Sequence, residues 1–243
     1  MPAQGEFVSV PPTSVSVLPG ASCAPPAPTI RGPLAIARLH LITPDATDAS
    51  VVARTRAALA AGVPWVQVRA KSATDPLRLA FATTIADACR SHGATCLIDD
   101  RADLAQATGA AGVHVGADDL PVHVVRRLLG PDAIIGATCR DAEQARRAVA
   151  DGASYLGVGP IHATTTKVGL PDPIGLQGLA AVTRAVDVPV IAISGITVDR
   201  VRDVLDAGAH GVAVVAAIYD APDVADAARA FLAVIADAVG VAS

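Results

Sequence analysis

DGASYLGVGP, residues 151–160, is the stretch from which the fold is predicted. Gly152 suits the left-handed residue that closes a helix. The short apolar run after it is typical of a buried strand. Gly159-Pro160 ends that strand, because proline lacks an N–H and fixes its own φ. The stretch therefore reads as a helix end followed by one complete strand.

The same unit recurs along the chain. Glycines in Ala61-Gly62-Val63, in residues 109–113 and in Ala207-Gly208-Ala209 also end a helical segment and lead into an apolar run. Eight strands are predicted by the apolar runs: Leu39–Thr43, Trp65–Arg69, Thr95–Asp99, Gly112–Val115, Ile134–Thr138, Tyr155–Gly159, Val190–Ser194 and Val212–Val215.

Helical spacing fills the segments between these strands. The predicted helices are Ser50–Ala61, Pro76–His92, Ala102–Thr108, Pro121–Leu129, Ala142–Ala150, Leu176–Ala185, Val198–Ala207 and Val224–Val239. Pro76 and Pro121 suit a first helical turn, and Asp141 and Thr197 are predicted N-caps.

Eight strand-helix units in residues 34–243 predict an α/β fold, a single-domain (β/α)8 TIM barrel. An open doubly wound sheet is the alternative. Residues 1–33 stand apart, with eight of the 18 prolines and only two charged side chains. They lack the features of a signal peptide, so we expect a disordered extension or a misplaced start codon.

Composition excludes several classes of protein. The formal charge is −4 without blocks of like charge, which argues against nucleic-acid binding. No apolar run approaches the roughly 18 residues that span a bilayer. The four cysteines form no CxxC pair, and free thiols suit a reducing cytosol. A cytoplasmic location is therefore expected.

Polar residues follow the predicted strands, where barrel enzymes place their active sites. Gln67, Arg69 and Lys71 alternate, so the three side chains can share one face. Their inward placement would be costly without a ligand or partner. The alternative is a network of structural salt bridges.

Acidic residues follow the third and fourth strands. IDDR (98–101) and HVGADD (114–119) bring carboxylates near a lysine and an arginine. Such a set suits Mg²⁺, which takes one or two carboxylates and uses substrate phosphates as further ligands. Asp118 or Asp119 could instead cap the next helix, and His114 could be a core histidine.

Three further loops suit a phosphorylated ligand. The loop IHATTTK (161–167) carries three hydroxyls and a lysine with no apolar anchor after Ile161; a solvated loop is the alternative. Gly195, after the seventh strand, permits close backbone approach. Barrels often bind phosphate through backbone N–H groups after strands seven and eight.

Six of these segments, in order from Leu39 to Ile218, resemble the thiamine phosphate synthase family. The family patterns are Gln-x-Arg-x-Lys, Asn-Asp-Arg, His-x-Gly-x-x-Asp, Gly-Pro-x-x-x-Thr-x-Thr-Lys, Gly-Gly-Ile and Gly-Val-Ala-Val-Val. The resemblance implies a transferase that joins 4-amino-5-hydroxymethyl-2-methylpyrimidine diphosphate to hydroxyethylthiazole phosphate, giving thiamine phosphate and diphosphate.

The resemblance also implies roles for individual residues. Catalytic roles fall to Arg69, Lys71, Lys167 and Thr138. Mg²⁺ ligands would be Asp100 and Asp119. Substrate contacts would come from Gln67, Arg69, Lys71, Asp99, Thr138, Thr164, Thr166, Lys167, Gly195, Val215 and Ala216.

The chain departs from the family at several positions. Asp99 replaces an asparagine, so an amide donor becomes an acceptor when ionised. Asp99 and Asp100 would face opposite ways if the strand continued through both. Thr138 and Ala216 each replace a serine, and Ser194 replaces a glycine. Ala70 and Ala163 replace an acidic residue and a proline.

Two other functions stay open. One is a thiazole tautomerase on the same barrel, for which His162 or His114 could supply the acid or base. The other is a non-catalytic barrel that binds a phosphorylated metabolite. Alanine-rich helix faces make a homodimer plausible.

Overall fold

The computed structural model describes residues 35–164, 169 and 171–240, and shows eight parallel strands closed into a barrel. The strands pair in sequence order, and β8 closes on β1. They are β1 (Leu39–Ile42), β2 (Trp65–Val68), β3 (Thr95–Asp99), β4 (Gly112–Val115), β5 (Ile134–Cys139), β6 (Tyr155–Val158), β7 (Val190–Ile193) and β8 (Gly211–Val214). The predicted (β/α)8 barrel is confirmed, and the open sheet is excluded.

Helices lie between the strands, within one or two residues of most predicted bounds. They are α1 (Ala49–Ala60), α2 (Asp75–Ser91), α3 (Ala102–Thr108), α4 (Val122–Leu129), α5 (Ala142–Ala150), α6 (Gly175–Thr183), α7 (Val201–Asp206), α8 (Ala216–Tyr219) and α9 (Val224–Ala238). The predicted helix from Val198 begins as a 3-10 turn, Val198–Arg200. Helix α8 was not predicted, because four residues are too few to show helical periodicity.

Most of the predicted helix ends agree with the structure. Asp141 caps α5, since its carboxylate accepts from Gln144 N. Pro76 lies in the first turn of α2, whereas Pro121 precedes α4 as its N-cap. Thr197 precedes the 3-10 turn without a side-chain cap bond. All four glycines predicted to end helices have a positive φ, between 64° and 98°.

The core has two layers because strand side chains alternate. Residues such as Leu41, Val66 and Ile98 face outward and pack beneath the helices. Trp65, Leu97, Ile134, Tyr155 and Ile191 fill the barrel interior. Each large side chain buried in this way contributes about 1.5–3 kcal/mol. The apolar interior gives way to Gln67, Asp99, His114 and Thr138 toward the carboxyl ends of β2–β5.

Two further predictions bear on composition. Within the described residues, no helix is long and apolar enough to cross a membrane. Cys89, Cys96 and Cys139 are buried free thiols. Cys23 and the predicted extension 1–33 lie outside the described residues.

Candidate active site

Polar side chains from β2 meet one carboxylate of β3. Gln67 Nε2 donates to Asp99 Oδ1 at 2.6 Å. Asp99 Oδ2 lies 4.0 Å from Arg69 Nε and 3.8 Å from Lys71 Nζ. The alternating residues of β2 and its loop therefore converge. Lys71 and Asp99 line a cavity of about 330 Å³ at the carboxyl ends of β2 and β3, together with Asp100 and Asp119.

A turn at the end of β3 brings Asp100 to the same lysine. Asp100 has a φ of 62°, a left-handed conformation that ends the alternation of the strand. Its Oδ2 lies 2.6 Å from Lys71 Nζ. Asp99 and Asp100 therefore both contact Lys71, although a continued strand would have pointed them apart.

Burial sets the protonation of Asp99. The Asp99 side chain is 9% exposed. Burial, followed by the charge of Asp100, raises the pKa of Asp99 to about 7 against the opposing effect of Lys71 and Arg69. Although burial opposes it, the hydrogen bond that Lys71 donates to Asp100 and the charge of Asp99 raise the pKa of Lys71. Lys71 is therefore a permanent cation in the cavity.

Asp100 and Asp119 form a hydrogen-bonded pair of carboxyl groups. Burial and the hydrogen bond with Asp119 raise the pKa of Asp100. Against its own burial, Asp119 has a lowered pKa because it accepts from Asp100 and from Gly116 N, the latter at 2.7 Å. Asp119 therefore lines the same cavity as Asp100, and α4 is preceded by Pro121 without a side-chain cap.

The paired carboxyls fit a divalent cation by their chemistry. Two neighbouring carboxyl groups provide two anionic ligands once both ionise. Among the described residues, no group of three or more His, Cys, Asp or Glu converges on one point. Protein oxygens here would thus supply only part of a coordination shell, as is usual for Mg²⁺ shared with phosphates.

A second polar chain runs from Thr138 of β5 in the mouth, through His114 of β4, to Tyr155 of β6 in the barrel interior. His114 Nε2 lies 3.0 Å from Thr138 Oγ1, and His114 Nδ1 lies 2.9 Å from the Tyr155 hydroxyl. Burial lowers the pKa of His114 to about 4. Thr138 itself is exposed in the mouth. His114 is therefore neutral and held at both ring nitrogens.

Backbone dominates the opposite side of the mouth. Ser194 (φ 80°) and Gly195 (φ 66°) form a left-handed turn after β7. A Cβ on Gly195 would lie 2.7 Å from both Ala163 O and His162 Cβ. Helix α8 begins at Ala216, with Val215 as its N-cap. Its first N–H groups have no partners within the helix, so backbone donors follow β8 directly.

The loop after β6 is held at both ends. Ile161 N donates to Ile193 O at 3.0 Å, and Ile174 N donates to Pro160 O at 2.8 Å. Arg140 Nη2 donates to Asp172 O at 2.7 Å.

Thr164 belongs to the described part of this loop, whereas the predicted contacts Thr166 and Lys167 lie outside the described residues.

Three residues near the site were not among the predicted contacts. Asp45 Oδ2 lies 3.6 Å from Arg69 Nη1. Asp45 follows β1, so the rule that polar residues directly after a strand are candidates for the site would have identified Asp45. The sequence identifies Tyr155 only as a residue of the predicted sixth strand. Arg140 follows Thr138 closely, but its partner Asp172 is distant in sequence.

These features define a class: a (β/α)8 barrel enzyme with cations and carboxylates gathered at the carboxyl ends of its strands. A family model described as thiamine monophosphate synthase matches residues 39–218. The chain belongs to this family.

Several known proteins are similar to this chain over most of its length. A thiamine-phosphate synthase of Salinispora arenicola is 52% identical over 200 residues, covering 81% of this chain and 96% of that protein. The Salinispora tropica thiamine-phosphate synthase is 48% identical, with the same coverage. The solved thiamine phosphate pyrophosphorylase from Pyrococcus furiosus has a TM-score of 0.76 and 34% identity, covering 84% of this chain and 97% of its own.

Proposed function

We propose that this chain is a thiamine-phosphate synthase, a transferase that condenses the pyrimidine diphosphate with the thiazole phosphate and releases diphosphate. The observation that carries the proposal is the convergence of Gln67, Arg69 and Lys71 on the carboxylates of Asp99 and Asp100. Residues 34–243 would form the catalytic domain. A cytosolic location and a homodimer remain predictions.

The cations would hold and neutralise the diphosphate. Lys71 lines the cavity and Arg69 lies beside Asp99, so both bring positive charge to the place where the leaving group would gain negative charge. Lys167 would add a third cation from the loop after β6. Gln67 and Asp99 would contact the pyrimidine or its diphosphate.

Bond cleavage would precede bond formation. The pyrimidine's amino group can stabilise a methylene cation as diphosphate departs, and the thiazole nitrogen then attacks that carbon. The protein supplies no nucleophile in this scheme. Its contribution is to bind both substrates in line and to stabilise the leaving charge.

Asp100 and Asp119 are the residues that would hold Mg²⁺. When bound, the ion would neutralise charge on the diphosphate oxygens. Binding requires that the pair lose its shared proton, so Lys71, 2.6 Å from Asp100, favours the ionised form.

The thiazole phosphate would bind across the mouth. Thr164 and Thr166 would contact it, while backbone donors at Gly195, Val215 and Ala216 would receive its phosphate. Ala216 lacks the family hydroxyl but keeps its N–H.

The structure offers less support for His114 as the acid or base of a tautomerase. Both ring nitrogens of His114 are already within hydrogen-bonding distance of protein hydroxyls.

The direct test supplies purified protein with both substrates and Mg²⁺, and measures diphosphate and thiamine phosphate together. We expect equal amounts of the two products, and only when all three components are present. Lys71→Ala should lower kcat at least about 100-fold, because a cation at the leaving group is lost.

Arg147→Ala is the matched control, since Arg147 is an exposed cation on α5 paired with Glu143. It should keep full activity. Folded wild-type protein that makes no thiamine phosphate, or a fully active Lys71→Ala variant, would contradict the proposal.

A further inference from the structure

A buried tyrosine stands behind the hydroxyl of Thr138. Tyr155 lies inside the barrel at 1% exposure, and its hydroxyl lies 2.9 Å from His114 Nδ1. His114 Nε2 in turn lies 3.0 Å from Thr138 Oγ1. The three groups form a chain from the barrel interior to the mouth, called here the Tyr155–His114–Thr138 relay.

The strands are built to hold this relay. A Cβ on Gly136 would lie 2.3 Å from His114 Nδ1 and 2.4 Å from the Tyr155 hydroxyl. A Cβ on Gly157 would lie 2.8 Å from His114 Cε1. Both positions face inward, so glycine at each leaves the space that the histidine and tyrosine occupy.

The direction of the hydrogen bonds follows from Tyr155. Burial raises the pKa of its hydroxyl, which therefore keeps its proton. Within the described part of the chain, His114 Nδ1 is the acceptor within reach of that hydroxyl. Nδ1 must then be unprotonated, and the neutral imidazole carries its proton on Nε2. That N–H donates to Thr138 Oγ1.

The opposite direction would leave a buried donor unsatisfied. If Thr138 donated to Nε2, Nδ1–H would donate to the tyrosine oxygen. The Tyr155 proton would then face no acceptor among the described residues. A buried donor without a partner is disfavoured strongly enough to select the first arrangement.

We propose that Tyr155 and His114 are positioning residues that fix Thr138 as a hydrogen-bond donor to the departing diphosphate. The inference rests on the proposed function. Because Thr138 Oγ1 accepts from His114, its own proton is left to point into the mouth. Donation into Thr138 also strengthens its donation onward, since linked hydrogen bonds polarise one another. An oxygen that gains negative charge as its bond to carbon breaks is the acceptor that benefits most.

The first arm of the test needs no substrate. Nitrogen-15 NMR of the free protein reports the tautomer of each of its six histidines, and the spectrum of His114→Gln assigns the His114 signals. We expect a neutral His114 with its proton on Nε2. A proton on Nδ1, or a charged imidazolium at pH 7, would overturn the relay.

The second arm is a double-mutant cycle measured as kcat at saturating substrates. Tyr155→Phe keeps the packed ring and should lower kcat about tenfold with little change in KM, while Thr138→Val should lower kcat about 100-fold. In the Thr138→Val background, Tyr155→Phe should have no further effect. Equal losses in both backgrounds would show that Tyr155 acts through the core alone, and would overturn the proposal.

Tyr219→Phe is the matched control, because its hydroxyl is also buried, 2.7 Å from Thr55 Oγ1 between α1 and α8. We expect Tyr219→Phe to lower the free energy of unfolding while kcat stays at the wild-type value. Thr138→Ser should keep most of the activity, since it keeps the donor. Wild-type protein that forms no thiamine phosphate would refute the proposed function itself, and with it the role of Thr138, whereas the NMR result would still establish the hydrogen-bond direction.

Discussion

At the scale of single residues, two left-handed backbone conformations shape the mouth of the barrel. Asp100 (φ 62°) and Ser194 (φ 80°) both adopt the left-handed conformation. Ser194 thus adopts, at a position where the family has glycine, a conformation that glycine enters most readily. Asp100 turns the chain so that two adjacent carboxylates meet Lys71. Alternation along a strand predicts the opposite, because periodicity carries no information about where a strand bends.

Asp99 provides the sharpest prediction at this scale. Its pKa, raised to about 7, lies above the ordinary value of 3.8. The folded state therefore binds more protons than the unfolded state between these values, so rising pH lowers stability across that window. Asp99→Asn removes this cost and should unfold in urea with a free energy about 1–3 kcal/mol higher than wild type at pH 8.

The comparison is made in EDTA, at pH 8 and at pH 5. The difference should shrink at pH 5, where the wild-type carboxyl is largely protonated in the folded state. Equal stability at pH 8, or a difference independent of pH, would show that Lys71 and Arg69 fully offset the burial of Asp99.

At the scale of elements, the inner faces of β5 and β6 decide whether the site can assemble. Gly136→Ala should destabilise the fold by at least about 3 kcal/mol, because its Cβ would lie 2.3 Å from both His114 and Tyr155. Gly93→Ala is the control: φ is +68°, but no atom lies within 4 Å of its Cβ. Gly93→Ala should lower the free energy of unfolding by only about 1–2 kcal/mol. Similar losses in chemical denaturation would contradict the steric argument.

The sequence predicted the elements well where a local signal exists. Strand β3 and helix α5 match their predicted bounds, since apolar runs and Asp141 mark them clearly. Helix α8 was missed, although it supplies the backbone donors after β8. The Tyr155–His114–Thr138 relay was also missed, because its members come from three strands and only barrel closure makes them neighbours.

At the scale of the whole molecule, closure accounts for what the sequence could and could not reveal. Parallel strands place their carboxyl ends together, so the sequence predicts one shared site for the polar residues after β2, β3 and β4. Which atoms pair depends on the register around the barrel. His114 faces Gly136 across β4 and β5, and Gly136 faces Tyr155 across β5 and β6. The register is set by the closure of all eight strands, so no single strand of the sequence reveals it.

The barrel interior also makes global stability depend on pH through His40. This side chain is buried, stacked on Trp65 with 4.5 Å between ring centroids, and its Nε2 lies 3.0 Å from Ala37 O. Burial lowers the pKa of His40 to about 3 from an ordinary 6.5. Between these values the unfolded state binds more protons, so stability falls as the pH drops below 6.5, by about 1.4 kcal/mol per pH unit inside the window.

His40→Gln should remove this dependence of stability on pH. The stability gap between wild type and variant, from urea unfolding, should therefore narrow by about 2 kcal/mol from pH 7 to pH 5. His92→Gln, an exposed position after α2, should retain the wild-type dependence. A gap that stays constant with pH would mean that His40 becomes protonated within the folded barrel.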